Sequence, residues 1–426
     1  MEVEVSVDAK KKADFKSNYI LFCLSRLVSD LGTSVFNFSL SLYILDITGS
    51  AGLFATILSI AMIPGILINA FCGFFVDRGN KKKIVITSDV LSGLLLIVFA
   101  ILFTFNSKNI VLFGAIAVVL GTFQSVFSLT IMASMDNIST KEHLPKLNSA
   151  FQGIGALVRI VGPVIGALMY KQFGMQLVII IDAFSFIASG AMEIFLRLSS
   201  NTAKEDTKKS YVDSVKEVYS YINGIAGLKI LFAAIVLNSL VSGSLTQVVL
   251  PFITYKGLNL TGLQVSQIVS ASFVGMIAGT VIISVMKKSD RLFKKVLLFF
   301  CLELVVGILW AFPLLPIFHN APVWVITGGF CVLMAFLGML VGFINIPALS
   351  YIQMSTPEGI KASIMGVVNT FGQMSMPVGM WLYGLMLEKI HWGYVVTVPS
   401  IILIVIIFFL GRTKSLRNFF STTCMK

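Results

Sequence analysis

The chain alternates long apolar segments with short polar ones, and this alternation restricts what it can fold into. A membrane-spanning helix needs about 20 mostly apolar residues, and twelve segments of the sequence meet that need. Their approximate bounds are 18–45, 51–75, 84–105, 109–135, 147–170, 174–197, 229–254, 263–286, 296–316, 323–349, 363–387 and 393–411. Charged residues make up 12% of the chain, against about 25% in soluble domains. We therefore predict an all-α membrane protein with twelve transmembrane helices, numbered here in chain order.

The two halves of the sequence repeat one theme at an offset of 213 residues, half of the chain's 426. The repeated positions are Thr48-Gly49 with Thr261-Gly262, and Asp77-Arg78 with Asp290-Arg291. Matches at a single offset indicate internal duplication, and parallel repeats of this kind build secondary transporters. We predict two six-helix, pseudo-symmetric halves related by an axis normal to the membrane.

Lysine and arginine residues divide unevenly between the two sides of the predicted membrane. With the amino terminus inside, 26 of the 32 fall on the inner side, four on the outer side and two within spans. This asymmetry predicts a bacterial cytoplasmic-membrane protein with both termini in the cytoplasm. The predicted parts are a tail (1–17), an amino-terminal half (18–198), a cytoplasmic linker (199–228), a carboxy-terminal half (229–411) and a second tail (412–426).

Other function classes lack their signatures in this sequence. The net charge of +12 is explained by membrane orientation and by contact with anionic lipid headgroups, not by nucleic-acid binding. The three histidines and five cysteines are scattered, so no metal site or disulfide is predicted. No phosphate-binding glycine loop is present. We expect no cofactor, no enzymatic activity and a monomer.

One cytoplasmic loop carries a known signature. Gly73, Asp77, Arg78, Lys81 and Lys82 lie between segments 2 and 3, and this stretch resembles the loop motif of the major facilitator superfamily. The family's glycine before the basic pair is Asn80 here. The resemblance implies a conformational latch, in which Asp77 binds near the amino terminus of helix 11 and stabilises the outward-facing state, because a helix amino terminus attracts an anion.

Further stretches resemble the macrolide-efflux-like branch of that superfamily. They are 27–32, 48–51, 142–145 with Asn148, Gly162-Pro163 with Gly166, and 182–186. The resemblance implies a proton-coupled antiporter that exports amphipathic drugs by alternating access, with protons and membrane lipids as its other partners. Such a protein would contribute to multidrug efflux and antibiotic resistance. The same fold could carry another cargo, such as a lysophospholipid, a siderophore or a nutrient.

Helices 5 and 8 each carry a face of small residues. On helix 5, the residues Gly155, Arg159, Gly162 and Gly166 share one face next to Pro163, and this segment resembles the antiporter signature of the superfamily. On helix 8, Gly275 and Gly279 form a small-xxx-small pair. In the family fold helices 5 and 8 touch between the halves, so these faces are predicted to be partners there. Ordinary helix packing is the alternative.

The first helix carries an ion pair within an apolar span. Arg26 and Asp30 lie one turn apart, and Thr33, Asn37 and Ser41 continue the same face. A charge inside the membrane faces protein or a water-filled cavity. Burial and a neighbouring cation shift the titration of a carboxylate in opposite directions, which makes Asp30, with Arg26, the candidate for proton coupling. A static ion pair that orients helix 1 is the alternative. The intramembrane acids of helices 3, 6 and 9 are expected at the periphery.

Softer polar groups are predicted to line the substrate cavity with this stripe. Methionine adapts to ligands of different shapes, although it is also common as packing filler. The candidates are Asn37 and Ser41 of helix 1, Gln124 and Ser128 of helix 4, Asn238, Ser242 and Thr246 of helix 7, and Asn369, Gln373, Met376 and Met380 of helix 11.

Overall fold

The computed structural model describes residues 2–71, 79–135, 143–196, 219–220, 224, 226–286, 290–355 and 358–413. Within these ranges all regular secondary structure is helical. The loop residues Gly73, Asp77 and Arg78 lie outside the described part, as does most of the linker.

Twelve helices follow the order that the hydropathy pattern predicts. The first six are α1 (Glu2–Thr48), α2 (Ala51–Phe71), α3 (Lys81–Phe105), α4 (Ile110–Met132), and α5 (144–173) and α6 (175–194), which together form the continuous rod Leu144–Ile194. The last six are α7 (226–257), α8 (Gly262–Val285), α9 (Val296–Leu309), α10 (Val323–Ser355), α11 (Glu358–Lys389) and α12 (Trp392–Gly411). A single helical turn, Asp290–Phe293, precedes α9.

Gly174 separates α5 from α6. Its backbone has φ 76° and ψ 173°, a conformation in which a side chain would be strained but which glycine adopts freely. Among the described residues, ten helical segments are suited by length and hydropathy to crossing a membrane, and the 51-residue Leu144–Ile194 rod is one of them. The rod is too long for one crossing, so the break at Gly174 makes it two.

Polar caps explain where several helices begin. The Asn80 side chain accepts a hydrogen bond from the backbone N–H of Lys83, and that of Asn109 does so from Leu112. Thr261 forms a capping box with Gln264 at the start of α8. These contacts satisfy backbone donors that the first helical turn leaves free.

Helix α7 departs from regular α-helical geometry. It begins as Ala226–Asn238 and then passes through π-helical turns at Ser239–Gly243, Leu245–Val249 and Ile253–Gly257. π-helical turns are rare and occur often at functional sites. The first of them directly follows Asn238, one of the predicted cavity residues.

The chain divides into two compact units. The first contains residues 1–47 and 60–207, and the second contains residues 48–59 and 208–426. The division at 207 falls inside the predicted linker, whereas the sequence pattern did not indicate that the first turns of α2 group with the second unit. The predicted symmetry axis stays a prediction.

Glycines allow close helix contacts inside the first unit. A Cβ at Gly93 of α3 would lie 2.9 Å from the carbonyl oxygen of Ala183 on α6, and a Cβ at Gly190 of α6 would lie 3.1 Å from Val90. The two helices therefore pack closely and antiparallel. The α5 face packs on α1 in the same way, because Gly162 abuts Ser34, and a Cβ at Gly166 would lie 2.8 Å from the carbonyl oxygen of Val35.

The small face of α8 packs on α10, which corrects the predicted pairing with helix 5. A Cβ at Gly275 would overlap the backbone of Ala335, and one at Gly279 would lie 2.8 Å from the carbonyl oxygen of Met339. Gly338 of α10 abuts Ser272 of α8 in return. Because both helices carry small residues, their backbones approach each other inside one unit.

Candidate functional site for ion coupling and transport

The Arg26–Asp30 pair lies on α1, as the sequence predicts. The Nε atom of Arg26 is 2.8 Å from the Oδ2 atom of Asp30. The side chain of Arg26 is 13% exposed and that of Asp30 is 24% exposed. The pair is therefore mostly enclosed by protein, and its carboxylate is the more exposed of the two groups.

Two phenylalanines cover the guanidinium of Arg26. Its Cζ atom lies 4.3 Å from the ring centroid of Phe151 on α5 and 5.9 Å from that of Phe127 on α4. Cations over aromatic faces are stabilised by the ring quadrupole. Arg26 thus joins three helices of the first unit, a role that its sequence spacing alone did not reveal.

The polar stripe of α1 reaches α4 at one point. Gln124 donates a hydrogen bond from Nε2 to the Thr33 hydroxyl oxygen at 3.4 Å. Asn37 is exposed, and the Ser41 hydroxyl donates to the carbonyl oxygen of Asn37 on its own helix at 2.8 Å. Ser128 is half-buried. The structure therefore brings the α1 and α4 candidates together through Thr33.

The basic pair of the signature loop binds the ends of two helices. The Lys81 ammonium donates to the carbonyl oxygen of Ala133, which caps α4, and the Lys82 ammonium donates to that of Ile194 at the end of α6, both at 2.6 Å. Carbonyls at a helix carboxy terminus lack intrahelical partners and attract cations.

Arg159 of α5 lies within electrostatic range of Asp30.

Buried acids on α3 and α6 lie beside the Arg26–Asp30 pair, not at the periphery as expected. Asp89 is 1% exposed and Glu193 is 2% exposed. The hydroxyl of Ser189 donates to Glu193 Oε1 at 3.4 Å and also reaches Asp89. Both acids lie within electrostatic range of Arg26. The four-residue spacing of Ser189 and Glu193 was the available sequence signal.

Asn238 and Ser242 bind a buried acid inside the second unit, and their place on the substrate cavity stays a prediction. Asn238 donates from Nδ2 to Glu303 Oε2 at 3.0 Å, and the Ser242 hydroxyl donates to Glu303 Oε1 at 2.6 Å. Glu303 of α9 is 7% exposed. Thr246 donates to the carbonyl oxygen of Ser242 within its own helix.

The acids of the two units lie one position apart at the repeat offset. At the repeat offset of 213, Ser25 and Ser29 of α1 match Asn238 and Ser242 of α7, and Asp89 of α3 matches the position just before Glu303 of α9. In each unit an acid of the third helix therefore approaches the first helix. The duplicated halves keep a polar group at this internal contact.

The α11 candidates differ in their surroundings. Met380 is buried, and Gln373 is exposed. Met376 is half-buried against Gly243, and its carbonyl oxygen accepts from the Ser244 hydroxyl at 3.0 Å. The side chain of Asn369 lies outside the described residues. α11 therefore presents an amide and a thioether at different depths, not one uniform face.

The sequence matches the model of the Major Facilitator Superfamily over residues 22–380 and 231–422. The chain belongs to this superfamily. It is 27% identical over 417 residues to an uncharacterized MFS-type transporter, YkuC, of Bacillus subtilis (strain 168), and the match covers 93% of each chain. The protein is accordingly a multi-pass membrane transporter.

Solved structures show that the chain has the superfamily's fold. The nucleoside transporter NupG matches with a TM-score of 0.71 at 14% identity, covering 93% of this chain and all of that one. An inward-open structure of the xylose transporter XylE from E. coli matches at 0.67 and 12% identity, covering 95% and 99%. A bacterial homologue of the iron transporter ferroportin matches at 0.65 and 16% identity, covering 93% and 99%.

Proposed function

We propose that this superfamily member is a proton-coupled antiporter that exports amphipathic drugs, of macrolide-like or multidrug type, by alternating access. It would lie in the bacterial cytoplasmic membrane with both termini in the cytoplasm. The observation that carries the proton coupling is the Arg26–Asp30 pair. Its carboxylate is an ionisable group inside an apolar span, faces a guanidinium and is about a quarter exposed, and these are the features that a proton carrier needs.

Gain or loss of a proton at Asp30 changes the charge that faces Arg26. With Asp30 ionised, the pair is neutral overall. With Asp30 protonated, the Arg26 guanidinium keeps its positive charge in a poorly solvated place. Only the Phe151 and Phe127 rings and the nearby buried acids then stabilise that charge. A charge change of this kind favours one packing of the first unit over another, which is what coupling needs.

The drug cargo is supported by the mixed chemistry of the candidate side chains. Gln124 and Gln373 offer amides, and Met376 offers a polarizable thioether. Described residues contain no cluster of histidine, cysteine and acidic groups suited to a metal ion, which disfavours a metal cargo. The resemblance to the macrolide-efflux-like branch supports the same cargo.

Transport by purified protein in liposomes tests the proposal. Labelled macrolides and cationic dyes should move against an imposed pH gradient, in exchange for protons. Movement of the same cargo together with protons would contradict antiport. A protein that moves neither class of drug, but moves a lysophospholipid, a siderophore or a nutrient when a pH gradient is imposed, would contradict the proposed cargo. The proposed proton coupling would still hold.

A further inference from the structure

Asp89 and Glu193 are neighbours at the α3–α6 contact. The helices are antiparallel, and a Cβ at Gly190, next to Ser189, would lie 3.6 Å from the Cβ of Asp89. Side chains lean toward the amino terminus of their own helix. Asp89 therefore leans toward the Lys81 end of α3, and Glu193, at the other helix's carboxy-terminal end, leans back toward Asp89.

Too few hydrogen-bond donors face this pair among the described residues. A hydroxyl has a single proton to donate, but the Ser189 hydroxyl faces Glu193 Oε1, the Ser25 carbonyl oxygen at 3.2 Å, and Asp89. Asp89 Oδ2 and Glu193 Oε2 are buried, and neither has a hydrogen-bond partner among the described residues. Buried polar atoms without partners are costly, so the pair calls for a further donor.

The charges around the pair also leave an excess of acid. Arg26 is already paired with Asp30, and Arg159 faces Asp30 as well. Asp182 of α6, whose Oδ1 accepts from the Ser185 hydroxyl at 3.1 Å, lies within electrostatic range of Asp89. The charged groups within electrostatic range of the pair are therefore Arg26 and Asp30 of α1 and Asp182 of α6. Arg159 of α5 is within range of Asp30, and Lys82 of α3 binds the Ile194 carbonyl oxygen next to Glu193. Acids outnumber arginines, and burying unpaired charges is expensive.

We propose that Asp89 and Glu193 hold one proton between them and form a proton-binding site separate from Asp30. The proton supplies the missing donor and removes one negative charge. Two carboxylates that share a site do not both ionise readily, so the proton belongs to the pair. Its part in transport rests on the proposed proton coupling, but its presence in the resting protein does not.

Infrared spectroscopy of the reconstituted protein, without cargo and near neutral pH, tests this directly. Asp89→Asn and Glu193→Gln imitate protonated side chains, so both variants should fold. Each should lose the same carbonyl band of a buried carboxylic acid, because removing either partner abolishes the repulsion that retains the proton. Glu303→Gln, which replaces a buried acid of the second unit, is the control and should keep that band.

Three outcomes would overturn the proposal. The first is a band that persists in both variants. The second is a band that vanishes in only one of them, which would assign the proton to a solitary acid. The third is removal of the band from the wild-type protein by sodium ions. If either variant fails to fold, Ser189→Ala is used instead, because it keeps both acids. The carboxylic-acid band of this variant should shift relative to the wild-type band. An unshifted band would refute the shared site. Transport in liposomes is measured separately. A wild-type protein that shows the band but no pH-driven transport would refute the proposed proton-coupled function and leave the shared proton site standing.

Discussion

The ammonium group of Lys82 donates a hydrogen bond of 2.6 Å to the carbonyl oxygen of Ile194. This contact ties the start of α3 to the end of α6, and the equivalent bond from Lys81 to Ala133 ties it to the end of α4. The two lysines of the signature loop therefore stabilise three helix termini in the first unit, in addition to any role in orientation.

Replacing either lysine by methionine should weaken these helix ends. The loss should be about 0.3–1 kcal/mol for each, the usual worth of a cation at a helix carboxy terminus, and should lower the thermal unfolding midpoint in detergent. Lys83→Met is the matched control, since Lys83 is exposed and adjacent in sequence. Equal midpoints for all three variants would contradict the capping role.

Asp77→Asn should shift the protein toward its inward-facing state. The expectation follows from the loop signature, in which this aspartate binds near the start of α11, around 361–363, in the outward-facing state. Transport should fall with little change in stability. Cysteine accessibility labelling from the two membrane sides measures the balance, and an unchanged balance would count against the latch.

Ser242→Ala should destabilise the second unit by removing a donor from the buried carboxylate of Glu303. We expect a loss of about 1–2 kcal/mol, above the average of about 0.6 for hydrogen bonds between membrane helices, because Glu303 is buried and a buried polar group without its partner costs about 1–3 kcal/mol. Thr246→Ala is the control, since Thr246 donates only within α7. Thermal unfolding measures both, and equal effects would show that the Glu303 contact is unimportant.

Gly275→Ala should loosen the α8–α10 packing, because the added methyl group would overlap the backbone of Ala335. Overpacking of this kind costs about 1–3 kcal/mol. Gly328→Ala on α10 provides the control, since a Cβ there would meet no atom within 4 Å. A wild-type melting temperature for Gly275→Ala would show that the helices can separate at this point without cost.

Hydropathy was sufficient to predict the helices, because a membrane span is a long, local signal. Even the break at Gly174 lies where two predicted segments meet. The sequence also placed Arg26 beside Asp30, since one helical turn fixes that distance. What it could not give was the direction of a side chain relative to other helices.

Glu303 shows why. Its own helix has no polar neighbour to indicate a partner, and its donors, Asn238 and Ser242, come from a helix more than 60 positions earlier in the chain. The same holds for Asp89, which meets Ser189 through the close approach of Gly93 and Gly190. The partner of Gly275 was not predictable for a related reason. A face of small residues predicts a close helix contact, but it does not indicate which helix makes the contact.

The pair Arg26 and Asp30 can be assigned a role by comparing single and double replacements. Asp30→Asn removes the proposed proton carrier, so it should abolish pH-driven transport and leave cargo binding largely intact.

If Asp30 only orients Arg26, the same change leaves a buried cation without its partner and lowers stability by about 3 kcal/mol. This is the lower end for a broken buried pair, since Asp30 is 24% exposed. Arg26→Gln combined with Asp30→Asn removes both charges and should recover stability. Asp46→Asn is the control for the loss of another acid from α1: Asp46 is exposed near the carboxy-terminal end of that helix, and its Oδ2 atom accepts from the Tyr170 hydroxyl at 2.8 Å. Recovery of pH-driven transport in the double variant would eliminate Asp30 as the proton carrier, whereas recovered stability with transport still absent would support it.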